Sequence, residues 1–348
     1  MCFYFNYLII IRLMLISNNN YARNCDFVFS ETVDHETFKI LNNDNLFVTD
    51  KSKDGVAYKS ICLELSDGDS IFCRNDYLDE LFFLIKHTKL KNLNLVTHQT
   101  DLDINDKILN KLPSNFDFWF GINKNTTSDK VISIPIGIAG NFSYKNLLLS
   151  DFDKNKINNF DLRAKKAKIY LNFQKNTNTN EREKAIEILK NSENSVIAQP
   201  NLPNNQYKLD LERYAFILCP WGNGFDTHRV WEALYSGSIP IVKKHTSFEY
   251  LDNLPALIIE NYEDLLTIDL NDFINNFTIE DFNLEKLTLE YWISKIKNKN
   301  LGSRKHTINV SYKVTLYFHL KLKFKNKINS KIKKIAYYSR KLKSKVID

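Results

Sequence analysis

The stretch Cys219-Pro220-Trp221-Gly222-Asn223-Gly224-Phe225-Asp226-Thr227-His228-Arg229-Val230-Trp231-Glu232-Ala233-Leu234, closing at Gly237-Ser238-Ile239-Pro240-Ile241-Val242, predicts strand, glycine loop, helix and strand in succession. The apolar run Ala215 to Leu218 ahead of it suits a buried strand, and Gly222 and Gly224 permit a tight turn that a ligand can approach closely. Asp226 or Thr227 is a good N-cap for the helix. Helical spacing puts Val230, Ala233, Leu234 and Gly237 on a packing face and His228, Arg229, Glu232 and Ser236 on the opposite one.

That order of parts carries a chemistry. A helix N-terminus offers unpaired N–H groups and partial positive charge, and with Arg229 and His228 it suits a diphosphate. Glu232, one turn after His228, can accept hydrogen bonds from ribose hydroxyls. Glycine loop, cap, basic pair and acid after a buried strand is the arrangement by which open α/β sheets bind nucleotides. The candidate nucleotide ligands are therefore Gly222, Asn223, Gly224, Asp226, Thr227, His228, Arg229 and Glu232.

The segment also resembles the carboxyl-terminal half of the exostosin-like (family 47-like) glycosyltransferases and their bacterial relatives, where a G-N-G-x-D-T-H-R-x-W-E-A-L string precedes G-x-I-P-I-V. Val96 to Asp101, Ile134 to Ile138, Tyr170 to Phe173 and Asn180-Glu181-Arg182 look similar to the same group, so the likeness spans roughly residues 60 to 245. Trp221 departs from it, standing where relatives often carry a basic residue. The resemblance implies a GT-B architecture: two Rossmann-like α/β domains facing across a cleft, the second holding most of a nucleotide sugar, with inversion at the anomeric carbon.

Elsewhere strand and helix patterns alternate, which argues α/β. Ile61 to Leu65 and Ser70 to Cys73 flank the turn Asp67-Gly68-Asp69; a helix is expected over Tyr77 to Ile85, and strands over Leu93 to Thr97, Phe116 to Ile122 and Val131 to Ile138. The polar stretch Ser150 to Lys168 reads as a linker, giving an acceptor-side domain over 1–160, a nucleotide-sugar domain over 161–300 and a tail over 301–348. In the second domain strands are expected at Ile169 to Phe173 and Ser195 to Ala198, with helices at Glu183 to Leu189 (N-cap Asn180) and Leu209 to Tyr214. An amphipathic helix over Glu285 to Lys297 is expected to return toward the first domain.

The catalytic base of such a transfer should come from strand ends of the first domain. His98 and Asp101, just after Leu93 to Thr97, lead, with Asp76 third. Arg229 and the helix N-terminus would neutralise the leaving diphosphate, so neither cofactor nor metal is expected. The rival is a metal-dependent GT-A transferase built on Asp67-Gly68-Asp69, Asp101-Leu102-Asp103 or Asp151-Phe152-Asp153, whose paired carboxylates could hold Mn²⁺ or Mg²⁺. A non-catalytic glycan- or nucleotide-binding protein of the same fold is the other alternative.

The 348 residues, 43% of them apolar, can fill two cores. Five widely separated cysteines form no metal-ligand spacing or disulfide framework and point to a reducing, cytoplasmic compartment. The net charge of +7 is concentrated: Lys321 to Lys345 holds eleven basic residues and no acid, leaving 37 basic against 41 acidic residues elsewhere. There Leu320, Phe324, Ile328, Ile332, Ile335, Tyr338, Leu342 and Val346 make one apolar helical stripe edged by lysines. The expected partner is an anionic membrane on its inner face, rather than nucleic acid, for which no binding motif is present. Phe3 to Ile16 is apolar but shorter than a bilayer span and lacks the basic start of a signal peptide. It reads as a first core strand over Leu8 to Ile16, or as a segment ahead of a true start at Met14.

Overall fold

A computed structural model of the chain describes residues 14–143, 145–297 and 305–344. It is mixed α/β and is built on two five-stranded parallel sheets. The first sheet runs Phe27–Val28, Ser70–Arg74, Leu93–His98, Phe116–Gly121, Val131–Ser133, in both chain and spatial order. In the second the spatial order is Ser195–Ile197, Lys166–Leu171, Tyr214–Leu218, Ile239–Lys243, Leu257–Ile259. Numbered along the chain, that order is 2-1-3-4-5, the doubly wound arrangement with its reversal between Lys166–Leu171 and Tyr214–Leu218.

The central strands are covered on both faces: Leu93–His98 and Tyr214–Leu218 are buried at every position, and in the first the polar Asn94, Thr97 and His98 are buried with the rest. Helix Leu78–Ile85 packs Leu78, Leu81, Phe82 and Ile85 beneath the first sheet. The second sheet shares one apolar core with Leu15, Ile16, Tyr21, Val96 and Phe120, while the other face of the first sheet has its own cluster around Ile71, Leu95 and Trp119.

Several expectations are corrected here. Ser150 to Lys168 is no polar linker, since Phe152, Ile157, Phe160 and Leu162 are buried within it. Two strands, Cys62–Ser66 and Ser70–Arg74, do flank the turn as expected; Asp69 and Asp67 accept hydrogen bonds there from Ser66 N and Lys91 N, and the strands enter different sheets. The last strand of the first sheet, expected to reach Ile138, stops at Ser133, because Pro135 lacks an N–H for the ladder. Ser30–Val33, Val56–Ser60 and Leu46–Lys51 form an antiparallel sheet in a region to which no elements were assigned.

The helix Leu289–Ile296 does return to the first sheet: Asn94 Nδ2 donates to Ile296 O at 2.6 Å and Lys297 pairs with Asp26. Residues past 301 are not a simple appendage. Lys305–Asn309 pairs antiparallel with Cys62–Ser66, and the helix Tyr312–Ser344 starts against Phe83, Asp79 and Lys59. Of the expected first strand, residues 8–13 lie outside the described residues; Leu15 and Ser17 make single bridges to Thr288 and Ile138. Ile332 to Leu342 of the stripe likewise carry no described side chains, and Val346 lies outside. Among the described residues no helix is long and apolar enough to cross a membrane, and Cys25, Cys62, Cys73 and Cys219 are free thiols.

Candidate functional site

The helix begins at His228, with Thr227 as N-cap, and runs to Tyr235. Thr227 caps nothing: its hydroxyl is buried without a partner, so no side chain covers the first-turn N–H groups. Val230, Ala233 and Leu234 of the expected packing face are buried, together with Trp231 and Tyr235, whereas on the opposite face Glu232 is buried and His228, Arg229 and Ser236 are only half-buried.

Loop 222–226 is held from the first sheet's side of the molecule. Asn123, at φ 57°, accepts hydrogen bonds from Phe225 N and Asp226 N on Oδ1 and donates from Nδ2 to Thr100 O. Its amide lies so close to Gly224 that a Cβ there would sit 2.7 Å from Nδ2. Gly224 is thus a glycine of close packing against Asn123. Asp226 accepts from Ile136 N at 3.0 Å and Thr227 N at 2.8 Å, and burial pushes its carboxyl up to about 7 against the pull of those N–H groups. Of the two expected caps Thr227 stands at the N-cap position without making a capping bond, and the Asp226 carboxylate ties the loop to Ile136.

Gly222, Asn223, Gly224, Asp226, Thr227, His228, Arg229 and Glu232 line one cavity of about 480 Å³, together with Asp101, Asn172, Phe173, Arg182 and Tyr207. It lies where the second sheet's order reverses, between segments following Lys166–Leu171 and Tyr214–Leu218, the position open α/β sheets use for ligands.

Arg182 was absent from the expected ligands and is central to this cavity. On helix Thr179–Leu189 it donates from Nε to Trp221 O at 2.9 Å and from Nη1 to Gln174 O at 2.8 Å. Its Nη2 would lie 3.1 Å from a Cβ at Gly222. Burial and the charge of Arg229 lower its pKa to about 10. Arg229 also has no carboxylate in ion-pair range among the described residues, and its Nε is buried and unpartnered. Burial lowers its pKa too, but the Tyr207 hydroxyl and Glu232 outweigh that and leave it raised. Both guanidinium groups sit over Phe173, at 5.6 and 5.8 Å from the ring centroid. Glu232 accepts from Tyr207 OH at 2.7 Å on Oε2. The only sequence signal for Arg182 was its place in the Asn180-Glu181-Arg182 likeness; nothing local reveals that it reaches the loop at 221–222.

A second cavity of about 290 Å³ is lined by Asn18, Thr32, Arg74, His98, Gln99, Thr100, Gly140 and Ser143, and shares only Asp101, Ile136 and His228 with the first. It lies at the carboxyl ends of Ser70–Arg74 and Leu93–His98. Asp101 is exposed and borders both cavities. His98 is unsuited to act as a base: Nδ1 accepts from Gln99 N at 2.9 Å, Nε2 faces Pro135 O at 3.3 Å, and the ring is 1% exposed. Burial, aided by the charge of His228, lowers its pKa to about 3, which keeps it neutral. Asp76 is likewise occupied, pairing with Arg74 at 2.7 Å.

The acidic triplets serve turns. Asp103 accepts from Asn105 and Asn125, Asp151 from Leu148 N and Asp153 from Asn155 N. Among the described residues no three His, Cys, Asp or Glu side chains gather as a metal set. Compared with models of known protein families and with curated proteins, the chain matches none.

Proposed function

We propose that the chain is a glycosyltransferase of GT-B type, inverting and independent of a metal, which moves a sugar from a nucleoside diphosphate to a glycan or glycolipid. The observation that carries this reading is the convergence of Arg182 and Arg229, neither in ion-pair contact with a carboxylate among the described residues, on one cavity at an uncapped helix start. Two like charges brought together at a cost in self-repulsion are a receptor for a doubly charged anion. With the helix N–H groups they would neutralise charge on the departing diphosphate, the task a metal performs elsewhere. Glu232, fixed by Tyr207, supports binding of ribose hydroxyls through its second oxygen.

The test is calorimetry on the full chain with uridine, guanosine and thymidine diphosphates and their sugar conjugates. Arg182→Ala and Arg229→Ala should each weaken binding ten- to a hundred-fold, the worth of one charge-assisted contact at about 1.5–3 kcal/mol. Transfer or donor hydrolysis should survive thorough chelation; abolition by chelation would favour the GT-A alternative. Binding without turnover of any donor would favour the non-catalytic one.

A further inference from the structure

The two cavities touch along Asp101, Ile136 and His228 alone, and His228 is the one polar group of the three with a fixed orientation. Its Nδ1 lies 2.7 Å from Gly137 O. A carbonyl oxygen only accepts, so Nδ1 carries the proton, and in the neutral ring Nε2 carries a lone pair. Among the described residues Nε2 has no hydrogen-bond partner. Gly137 itself is held at φ +66°, with Ile16 O within 2.4 Å of where its Cβ would stand, so the carbonyl that orients His228 is locked by the backbone around it. No hydrogen bond among the described residues fixes the Asp101 carboxylate.

The second cavity has the polarity of a hydroxyl-binding site. Asn18 is 5% exposed and its Oδ1 has no partner, and the buried Nε of Arg74 has none either. Arg74 is neutralised by Asp76, so beyond Asp101 and His228 the lining offers one buried free acceptor and one buried free donor. Such groups are costly to bury unless a ligand completes them.

We propose that the second cavity holds a hydroxyl-bearing acceptor sugar and that His228 Nε2 is the base that takes its proton. This rests on the transferase reading and gives it an acceptor site and a base. In the step, the acceptor oxygen bonds to the anomeric carbon while that carbon's bond to the diphosphate oxygen breaks, the bonding pair leaving with the diphosphate. The hydroxyl proton passes to Nε2, giving an imidazolium whose Nδ1–H stays on Gly137 O, and is later released to water. Arg229, next in sequence, faces the leaving group from the same helical turn, so one segment serves both ends of the transfer.

The experiment compares the full-length wild type with His228→Gln, using uridine, guanosine and thymidine diphosphate hexoses as donors and water or free monosaccharides as acceptors. Released nucleoside diphosphate gives the rate, and calorimetry with the matching nucleoside diphosphate gives the affinity. The expected result is a hundred-fold or greater loss of turnover in His228→Gln, as for removal of a general base, with affinity within three-fold of wild type. Turnover within five-fold of wild type overturns the assignment, as does a hundred-fold loss in Asp101→Asn with affinity intact. A wild type that binds nucleoside diphosphate but turns over no donor also overturns it, leaving the nucleotide site standing. A wild type that binds none overturns the transferase reading beneath it.

Discussion

His98 and His228 show how little a residue type says without its hydrogen bonds. Both border the same cavity, yet His98 has each ring nitrogen engaged while His228 keeps one free. The buried state of His98 has a measurable consequence. Its folded pKa of about 3 lies below the usual value of 6.5, so its contribution is complete above pH 6.5 and is lost as pH falls toward 3. Asp226 works in the opposite sense: raised to about 7 from 3.8, it favours the folded state as pH falls through that range. Between about pH 4 and 6.5 the two nearly cancel, because the unfolded chain gains one proton at His98 while the folded chain keeps one at Asp226. The raw stability curve hides both. Denaturant unfolding of wild type and His98→Gln at pH 7, 6 and 5 should separate them, the wild type losing about 0.7 kcal/mol relative to the variant from pH 7 to 6 and about 1.2 kcal/mol from pH 6 to 5. Parallel curves would contradict the neutral, buried assignment of His98. Sequence position alone made His98 a candidate base, since it follows a strand; its unsuitability depends on Pro135, 37 residues away.

At the scale of elements, the strand, loop and helix from Tyr214 to Lys243 were legible because their signals are local: an unbroken apolar strand, two glycines, a threonine before the first helical turn. What fixes the loop was not legible. Asn123 lies about a hundred residues earlier and adopts a left-handed backbone that no pattern announces. The antiparallel trio Ser30–Val33, Val56–Ser60 and Leu46–Lys51 was missed for a related reason, as Glu31 and Lys59 are buried and paired with Arg23 and Glu80, which hides the usual alternation. The Asn123 clamp predicts a specific coupling. Gly224→Ala places a methyl against the Asn123 amide and should cost about 1–3 kcal/mol by overpacking. Asn123→Ala should cost about as much by leaving two N–H groups of the loop unpaired. The double variant should cost less than the sum, since the methyl then has room, and a coupling of at least about 0.5 kcal/mol is expected by denaturant unfolding. Strict additivity would mean that the side chain and the loop do not constrain each other.

For the molecule as a whole, two sheets aim their carboxyl ends at adjoining cavities, and hydrogen bonds of Asn123, Asp226 and the helix Leu289–Ile296 link the two sides. Length and apolar content suggested two cores, and two clusters are present, the larger of which draws on both sheets and buries Leu15, Ile16 and Tyr21. The basic tail completes the layout. Lys59, paired with Glu80 in the interior, reaches Thr315 O, and Lys321 meets Asp79, so the start of Tyr312–Ser344 is docked on the first sheet's side. The neighbouring stripe is not covered: Leu320 is 56% and Phe324 67% exposed, with Tyr317 and Ile328 beside them. By helical spacing Lys323 and Lys327 edge that stripe on one side and Lys321 and Lys325 on the other. Apolar residues flanked by lysines on an anchored helix match the interface of an anionic bilayer, where each basic residue contributes about 1 kcal/mol. Leu320→Glu with Phe324→Glu removes apolar contact and adds repulsion at the centre of the stripe. In sedimentation with phosphatidylserine–phosphatidylcholine vesicles the wild type should bind, and bind less at high salt. The double variant should bind at least ten-fold more weakly while keeping its nucleoside diphosphate affinity, because its changes lie far along the chain from the cavity at Arg182 and Arg229. Equal sedimentation of the two proteins, or none by the wild type, would remove the membrane from this reading and leave the sugar-transfer site to be judged on its own.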